Sequence, residues 1–88
     1  MTELEAALRD AIARVCGVDA SQIRREATLA DLGIDSLAAA EVLVETEIGL
    51  HREFPLHVLR DLDQGRTVGD IVDQLEAASG GEPSRRSP

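Results

Sequence analysis

The chain has no lysine, tryptophan or tyrosine, and its 88 residues include one phenylalanine, one cysteine and one methionine. With Phe54 as the sole aromatic side chain, the core has to be aliphatic, assembled from Leu, Ile, Val and Ala. A lone Cys16 excludes an intramolecular disulfide and a cysteine-based zinc site, and leaves a buried structural thiol as its simplest role. Basic residues are scarce: nine, all Arg, against 17 Asp and Glu, for a formal charge of -8. Nucleic acid is a poor partner for such a surface, because its phosphates need a basic patch, whereas basic patches on other proteins attract it. No apolar run approaches the roughly 18 residues of a membrane span, and the start Met-Thr-Glu-Leu-Glu lacks the basic residues and apolar stretch of a secretory signal. A cytoplasmic protein without a membrane partner is expected. One short domain also leaves little room for an enzyme pocket.

What is present is helical punctuation. Thr2 and Glu5 form a capping-box pair, followed by Leu4, Ala7, Leu8, Ala11, Ile12 and Val15 at the spacing of one helical face; this first helix should span about 3–16 and stop at Gly17. Residues 18–35 read as a long loop held by scattered apolar anchors, Val18, Ile23, Leu29, Leu32 and Ile34, with a second capping pair, Thr28 and Asp31, ahead of Gly33. A second helix is expected from 37 to about 52, with Ala39, Val42, Leu43, Thr46 and Leu50 facing inward and Phe54-Pro55 breaking it. A shorter third helix uses Leu56, Val58, Leu59 and Leu62 and ends near Gly65. Thr67 and Asp70, a third capping pair, open the last helix with the stripe Val68, Ile71, Val72 and Leu75, ending near Ala78. The expected fold is all-α, a small four-helix bundle over 1–78 whose third helix is short. Residues 79–88 offer no apolar side chain and are expected to be a disordered tail. Strand patterns and internal repeats are absent.

The stretch with chemical content is Asp-Leu-Gly-Ile-Asp-Ser-Leu at 31–37. A glycine turn and an apolar anchor deliver Ser36 to the first turn of the second helix, with Asp35 as N-cap. An ester phosphate on the Ser36 oxygen would sit at the positive end of the helix, beside unpaired N–H groups. On local physics alone, Asp-Ser before a helix is a cap and nothing more.

The six residues Leu32-Gly33-Ile34-Asp35-Ser36-Leu37 resemble the motif of the acyl carrier protein family, and the order of helices and breaks is similar from about 2 to 75. The resemblance implies an acyl-carrier-like bundle in which Ser36 carries 4'-phosphopantetheine, transferred from coenzyme A by a magnesium-dependent phosphopantetheinyl transferase. The arm's thiol, and not Cys16, would hold acyl cargo as a thioester, so the chain itself would not be an enzyme. Asp35, Leu37, Glu41, Val44, Glu47 and Ile48 match the family's docking positions. Partners would be an acyltransferase or an acyl or aminoacyl ligase, and a ketosynthase or other acyl-processing enzyme, acting on a monomeric, discrete carrier. The Gly-Ile-Asp-Ser form and the acidity lean toward polyketide and fatty-acid carriers. A peptidyl carrier and an unmodified helical module are the alternatives. The segment between Pro55 and Thr67, with Leu56, His57 and Arg60 where acidic residues are common, and the aliphatic Val44 and Ile48 depart from compact fatty-acid carriers. His51 and His57, six apart across the proline break, read as ordinary surface histidines.

Overall fold

The computed structural model describes residues 2–60, 62–63 and 65–80; the eight C-terminal residues expected to form most of the tail lie outside the described residues, and the side chains of Leu56, Leu59 and Ser79 are not described. Among the described residues there are four α-helices: α1 (Glu3–Cys16), α2 (Ser36–Leu50), α3 (Leu56–Arg60) and α4 (Val68–Gly80), with a 3-10 turn at Ala20–Gln22. The fold is all-helical, as the sequence pattern predicts. α4 runs two residues past the expected end at Ala78.

The termini of α1 follow directly from residue chemistry. Thr2 sits in extended backbone and its hydroxyl accepts the Glu5 N–H at 3.1 Å, while Gly17 closes the helix at φ 73°, a left-handed conformation glycine adopts without a Cβ penalty. The Thr2 hydroxyl also donates to Glu76 Oε2 at 2.6 Å, tying the start of α1 to α4. Leu4, Leu8, Ala11 and Ile12 from α1 meet Ala39, Val42 and Leu43 from α2, Val58 from α3 and Val68, Ile71, Val72 and Leu75 from α4. Ile23, Leu29 and Ile34 of the long loop complete this core, and Phe54 is buried at its edge. Full burial of each such side chain contributes about 1.5–3 kcal/mol. Thr46 is fully buried on α2; its hydroxyl is satisfied by donating to the Val42 carbonyl at 2.7 Å.

The loop and the entry to α4 share one device. Thr28 and Asp31 cap each other's backbone N–H at 3.0 Å in both directions, and Thr67 and Asp70 do the same at 3.2 and 3.0 Å. The two pairs are joined by an isolated antiparallel bridge between Thr28 and Thr67, with Leu29 N–H donating to Arg66 O at 3.0 Å and Val68 N–H to Ala27 O at 2.9 Å. Among the described residues this bridge is as close as the chain comes to a strand.

Three features differ from the sequence pattern. The capping-box partner Glu5 does not reach back to Thr2. It is buried, 7% exposed, and its carboxylate takes Arg25 at 2.9 Å and Arg9 at 3.2 Å; Arg25 continues to Asp73 at 3.3 Å, and Arg9 donates to the Ile23 carbonyl. This cluster binds α1, the long loop and α4. Gly69 lies under it, where an added Cβ would stand 3.3 Å from the Arg25 guanidinium. Next, α2 ends before Pro55 acts: His51 takes a left-handed conformation at φ 55°, and the N–H groups of His51 and Arg52 turn back to Ile48 and Glu47 carbonyls at 3.3 and 3.1 Å. Finally, α3 is described over Leu56–Arg60, and ahead of Gly65, where the pattern has the third helix ending, Asp63 forms a turn, accepting Gly65 N–H on its carboxylate at 3.0 Å and Arg66 N–H on its carbonyl at 3.1 Å.

Glu5→Ala is expected to lower unfolding free energy by about 2 kcal/mol, since two arginines lose charge-assisted bonds; urea denaturation followed by circular dichroism measures it. His51→Gly is expected to raise it by about 1 kcal/mol by removing a left-handed non-glycine residue, read in the same assay.

Candidate functional site

The site is built by the last turns of the long loop. Leu32 and Ile34 N–H groups both donate to the Leu29 carbonyl, at 3.1 and 2.9 Å, and Gly33, at φ 72°, supplies the left-handed residue that reverses the chain between them. Nothing stands within 4 Å of a Cβ at Gly33, so backbone conformation rather than space favours glycine there. Ile34 is then driven into the core, 1% exposed. Asp35 follows in extended backbone; its Oδ1 accepts the Ala38 N–H at 2.8 Å and its carbonyl accepts the Ala39 N–H at 2.8 Å. With Ile34 inward and Asp35 capping, Ser36 opens α2 on the exposed side. Its hydroxyl makes no hydrogen bond among the described residues.

Beside Ser36 lies an open cleft of about 460 Å³. Its apolar walls are Leu29, Ile34, Ala39 and Leu62; Asp35 and Asp63 stand at its rim with Ser36. The same four apolar residues border a seam of about 10 Å³ that reaches Leu8, Ile12 and Ile71 in the core and is too small to hold a guest. Asp35 caps the positive end of α2 at the Ala38 N–H, and the other first-turn N–H groups have no intrahelical acceptors. An anion esterified to Ser36 fits this position: the oxygen is exposed and makes no hydrogen bond among the described residues, donors are at hand, and an elongated substituent has an apolar-walled cleft beside it.

Along the outer face of α2, Leu37 is 76% exposed, Val44 52% and Ile48 63%. Glu41 is exposed between them and has no ion pair or hydrogen bond among the described residues. The neighbouring carboxylates are engaged: Glu45 pairs with Arg14 of α1 at 2.9 Å, and Glu47 is half-buried and accepts the Phe54 N–H at 2.8 Å. Of the docking positions expected from sequence, Leu37, Glu41, Val44 and Ile48 therefore share one open face, while Asp35 and Glu47 each hold a backbone N–H. Leu62 and Asp63 were not legible as site residues, because their approach to Ser36 depends on where the Asp63 turn sets down.

Cys16 is half-buried with Sγ 3.8 Å from the Leu32 carbonyl, and burial pushes its pKa up. His51 and His57 are exposed. Among the described residues no group of three or more His, Cys, Asp or Glu side chains could hold a metal ion, and no helix is long and apolar enough to cross a membrane.

A family described as "Phosphopantetheine attachment site" matches residues 6–75. The chain is 38% identical over 80 residues to an acyl carrier protein of Thermotoga maritima, covering 89% of this chain and 94% of that one. It is 31% identical over 78 residues to the non-reducing polyketide synthase pkiA of Emericella nidulans, covering 89% of this chain and 3% of the synthase. It is also 35% identical over 71 residues to the nonribosomal peptide synthetase NPS2 of Ceriporiopsis subvermispora, covering 80% of this chain and 3% of the synthetase. No solved structure gives a significant match. The helical order, the turn that presents a serine at the start of α2, and these similarities agree: the chain belongs to the acyl carrier protein family, whose members bind 4'-phosphopantetheine covalently.

Proposed function

We propose that this chain is a non-catalytic carrier that holds acyl intermediates on a 4'-phosphopantetheine arm at Ser36 and presents them to partner enzymes of polyketide or related secondary-metabolite assembly. The observation that carries this reading is the exposed Ser36 hydroxyl at the start of α2, immediately after the Asp35 cap and without a hydrogen bond among the described residues. In the modification, a phosphopantetheinyl transferase brings coenzyme A and magnesium. The Ser36 oxygen forms a bond to the phosphorus that bears the pantetheine, the P–O bond to the other phosphate breaks, and adenosine 3',5'-bisphosphate leaves. The hydroxyl proton passes to a base of the transferase.

The arm, once attached, supplies a thiol for thioester chemistry. The chain's own residues do the positioning. Asp35 keeps the first turn of α2 closed, so that Ser36 stays outward. The first-turn N–H groups and helix dipole favour the phosphodiester charge, worth about 0.3–1 kcal/mol at an exposed helix end. Leu29, Ile34, Ala39 and Leu62 offer an apolar wall to whatever the arm carries. A flexible tether raises the effective concentration of cargo at a partner's active site, so brief docking is sufficient.

A second reading, a carrier of aminoacyl groups for peptide assembly, draws support from the similarity to part of the peptide synthetase NPS2. The two readings differ in the enzyme that loads the arm. Acylation of the modified protein by an acyl-coenzyme A acyltransferase favours the first, and by an adenylating amino-acid ligase the second.

Incubated with coenzyme A and a promiscuous phosphopantetheinyl transferase, the protein is expected to gain the mass of one phosphopantetheine by intact-mass spectrometry. Ser36→Ala is expected to gain none while keeping its helical circular-dichroism spectrum; a wild-type protein that stays unmodified overturns the reading. Cys16, with its raised pKa, carries little thiolate at about pH 8. Iodoacetamide is therefore expected to alkylate the arm thiol of the modified protein before Cys16, as peptide mapping over time would show.

A further inference from the structure

Resting on the carrier reading, we infer that Arg25 is a positioning residue for the modification of Ser36: its bridge between Glu5 of α1 and Asp73 of α4 holds the loop segment from which the serine is presented. The guanidinium donates to Glu5 Oε1 at 2.9 Å and to Asp73 Oδ1 at 3.3 Å. It lies over Gly69, the second residue of α4, where a Cβ would stand 3.3 Å from both Nε and Nη2 of Arg25, closer than side chains ordinarily pack. The main chain is tied at the same point, since the Gly69 N–H donates to the Arg25 carbonyl at 2.9 Å. Arg25 is thus fastened to α4 by backbone and side chain together, and to α1 through a carboxylate that is itself buried. Its neighbour Arg24 contrasts with it: among the described residues it pairs with Glu26 alone, at 3.8 Å and in solvent, and joins no second helix.

From Arg25 the constraint reaches Ser36 along the backbone. The Ala27 carbonyl accepts Val68 N–H at 2.9 Å and Leu29 N–H donates to the Arg66 carbonyl at 3.0 Å, so residues 25–29 are laid along the entry to α4. The Leu29 carbonyl in turn accepts the Leu32 and Ile34 N–H groups and closes the turn through Gly33, and Ser36 stands two residues beyond Ile34. Cutting the bridge leaves this path without its anchor at the α4 end. The turn is then formed in a smaller fraction of molecules. A transferase acts on the molecules that present the serine, so its KM rises by the reciprocal of that fraction, while kcat of the bound complex is unchanged. Arginine suits the role because its planar fork engages two carboxylates at once.

The test compares wild type, Arg25→Gln, Asp73→Asn and Ala11→Gly as substrates of a phosphopantetheinyl transferase with coenzyme A saturating. Ala11→Gly is the control for stability alone: it sits in the core on α1, and the change removes a buried methyl and loosens a helix interior. Thermal melts set the assay temperature below every transition. Arg25→Gln is expected to raise KM about threefold and Asp73→Asn about twofold, each at the wild-type kcat, a size that suits partly exposed ion pairs. Ala11→Gly is expected to keep the wild-type KM despite its lower melting temperature. Arg25→Gln and Asp73→Asn shift the net charge in opposite directions, so a rise in KM common to both reports the bridge and not long-range attraction to the transferase. Amide hydrogen exchange at Leu32, measured on the unmodified protein, is expected to quicken in both bridge variants. The inference is overturned if Arg25→Gln keeps the wild-type KM and the wild-type exchange at Leu32, or if Ala11→Gly raises KM as much as Arg25→Gln does. The exchange measurement needs no transferase, and modification of the wild type at Ser36 stands in each of these outcomes, whereas its absence removes the carrier reading itself.

Discussion

The burial of Ile34, two residues before the exposed Ser36, is the contact on which the site depends. A loop as long as 18–35 is uncommon in a compact domain unless it has a function, and it has to be held in place without a helix or strand of useful length. Ile23, Leu29 and Ile34 do this by filling the core between α1, α2 and α4. Once Ile34 is inward and Gly33 has turned the chain, the register of the next residues is set: Asp35 caps, and Ser36 lands on the outside. The same burial makes the wall of the cleft, since Leu29 and Ile34 face both the core and the space beside Ser36.

Side-chain burial alone would leave the loop's backbone unsatisfied, and buried polar groups without partners cost about 1–3 kcal/mol each. The paired Thr and Asp caps answer this. Thr28 with Asp31 closes one turn, Thr67 with Asp70 opens α4, and the bridge between Thr28 and Thr67 sets the two side by side. Backbone donors of Leu29, Val68 and Gly69 are all used across this junction. The start of α4 and the turn ahead of Ser36 are therefore mechanically one piece, clamped again by Arg25 between Glu5 and Asp73. With no aromatic residue other than Phe54 to supply large buried surfaces, such polar fastening between elements carries more of the architecture than it would in a larger core.

Most of this was legible in the sequence wherever the cause was local. The caps at Thr2, Asp35, Thr28 and Thr67, the glycine stop at Gly17 and the inward stripe of α2 all arise from residues within four positions of each other, and the structure has them where the pattern predicts. What was not legible depends on partners far along the chain. Glu5 reads as half of a capping box because Thr2 is three residues away, yet Arg25 and Arg9 outcompete the Thr2 backbone for its carboxylate. Pro55 reads as the end of α2, but the Schellman-like turn at His51 ends it earlier, and Glu47 occupies the Phe54 N–H in the gap. Leu62 and Asp63 reach the cleft by way of a turn that a helical reading of 56–65 had concealed.

The composition of α2 poses a final question, since the helix is aliphatic on both sides although only one side packs. Folding explains Ala39, Val42 and Leu43, but it gains nothing from Leu37, Val44 and Ile48, and exposed apolar strips invite association. The chain tolerates them because its charge acts at a different range. A net charge of -8 repels a second copy and draws basic surfaces over distances of about a Debye length, roughly 8–10 Å. Apolar contact acts only at touching distance, after the approach. Acidity and an exposed aliphatic strip are thus compatible: long-range repulsion between like-charged copies opposes the short-range tendency of the strip to associate.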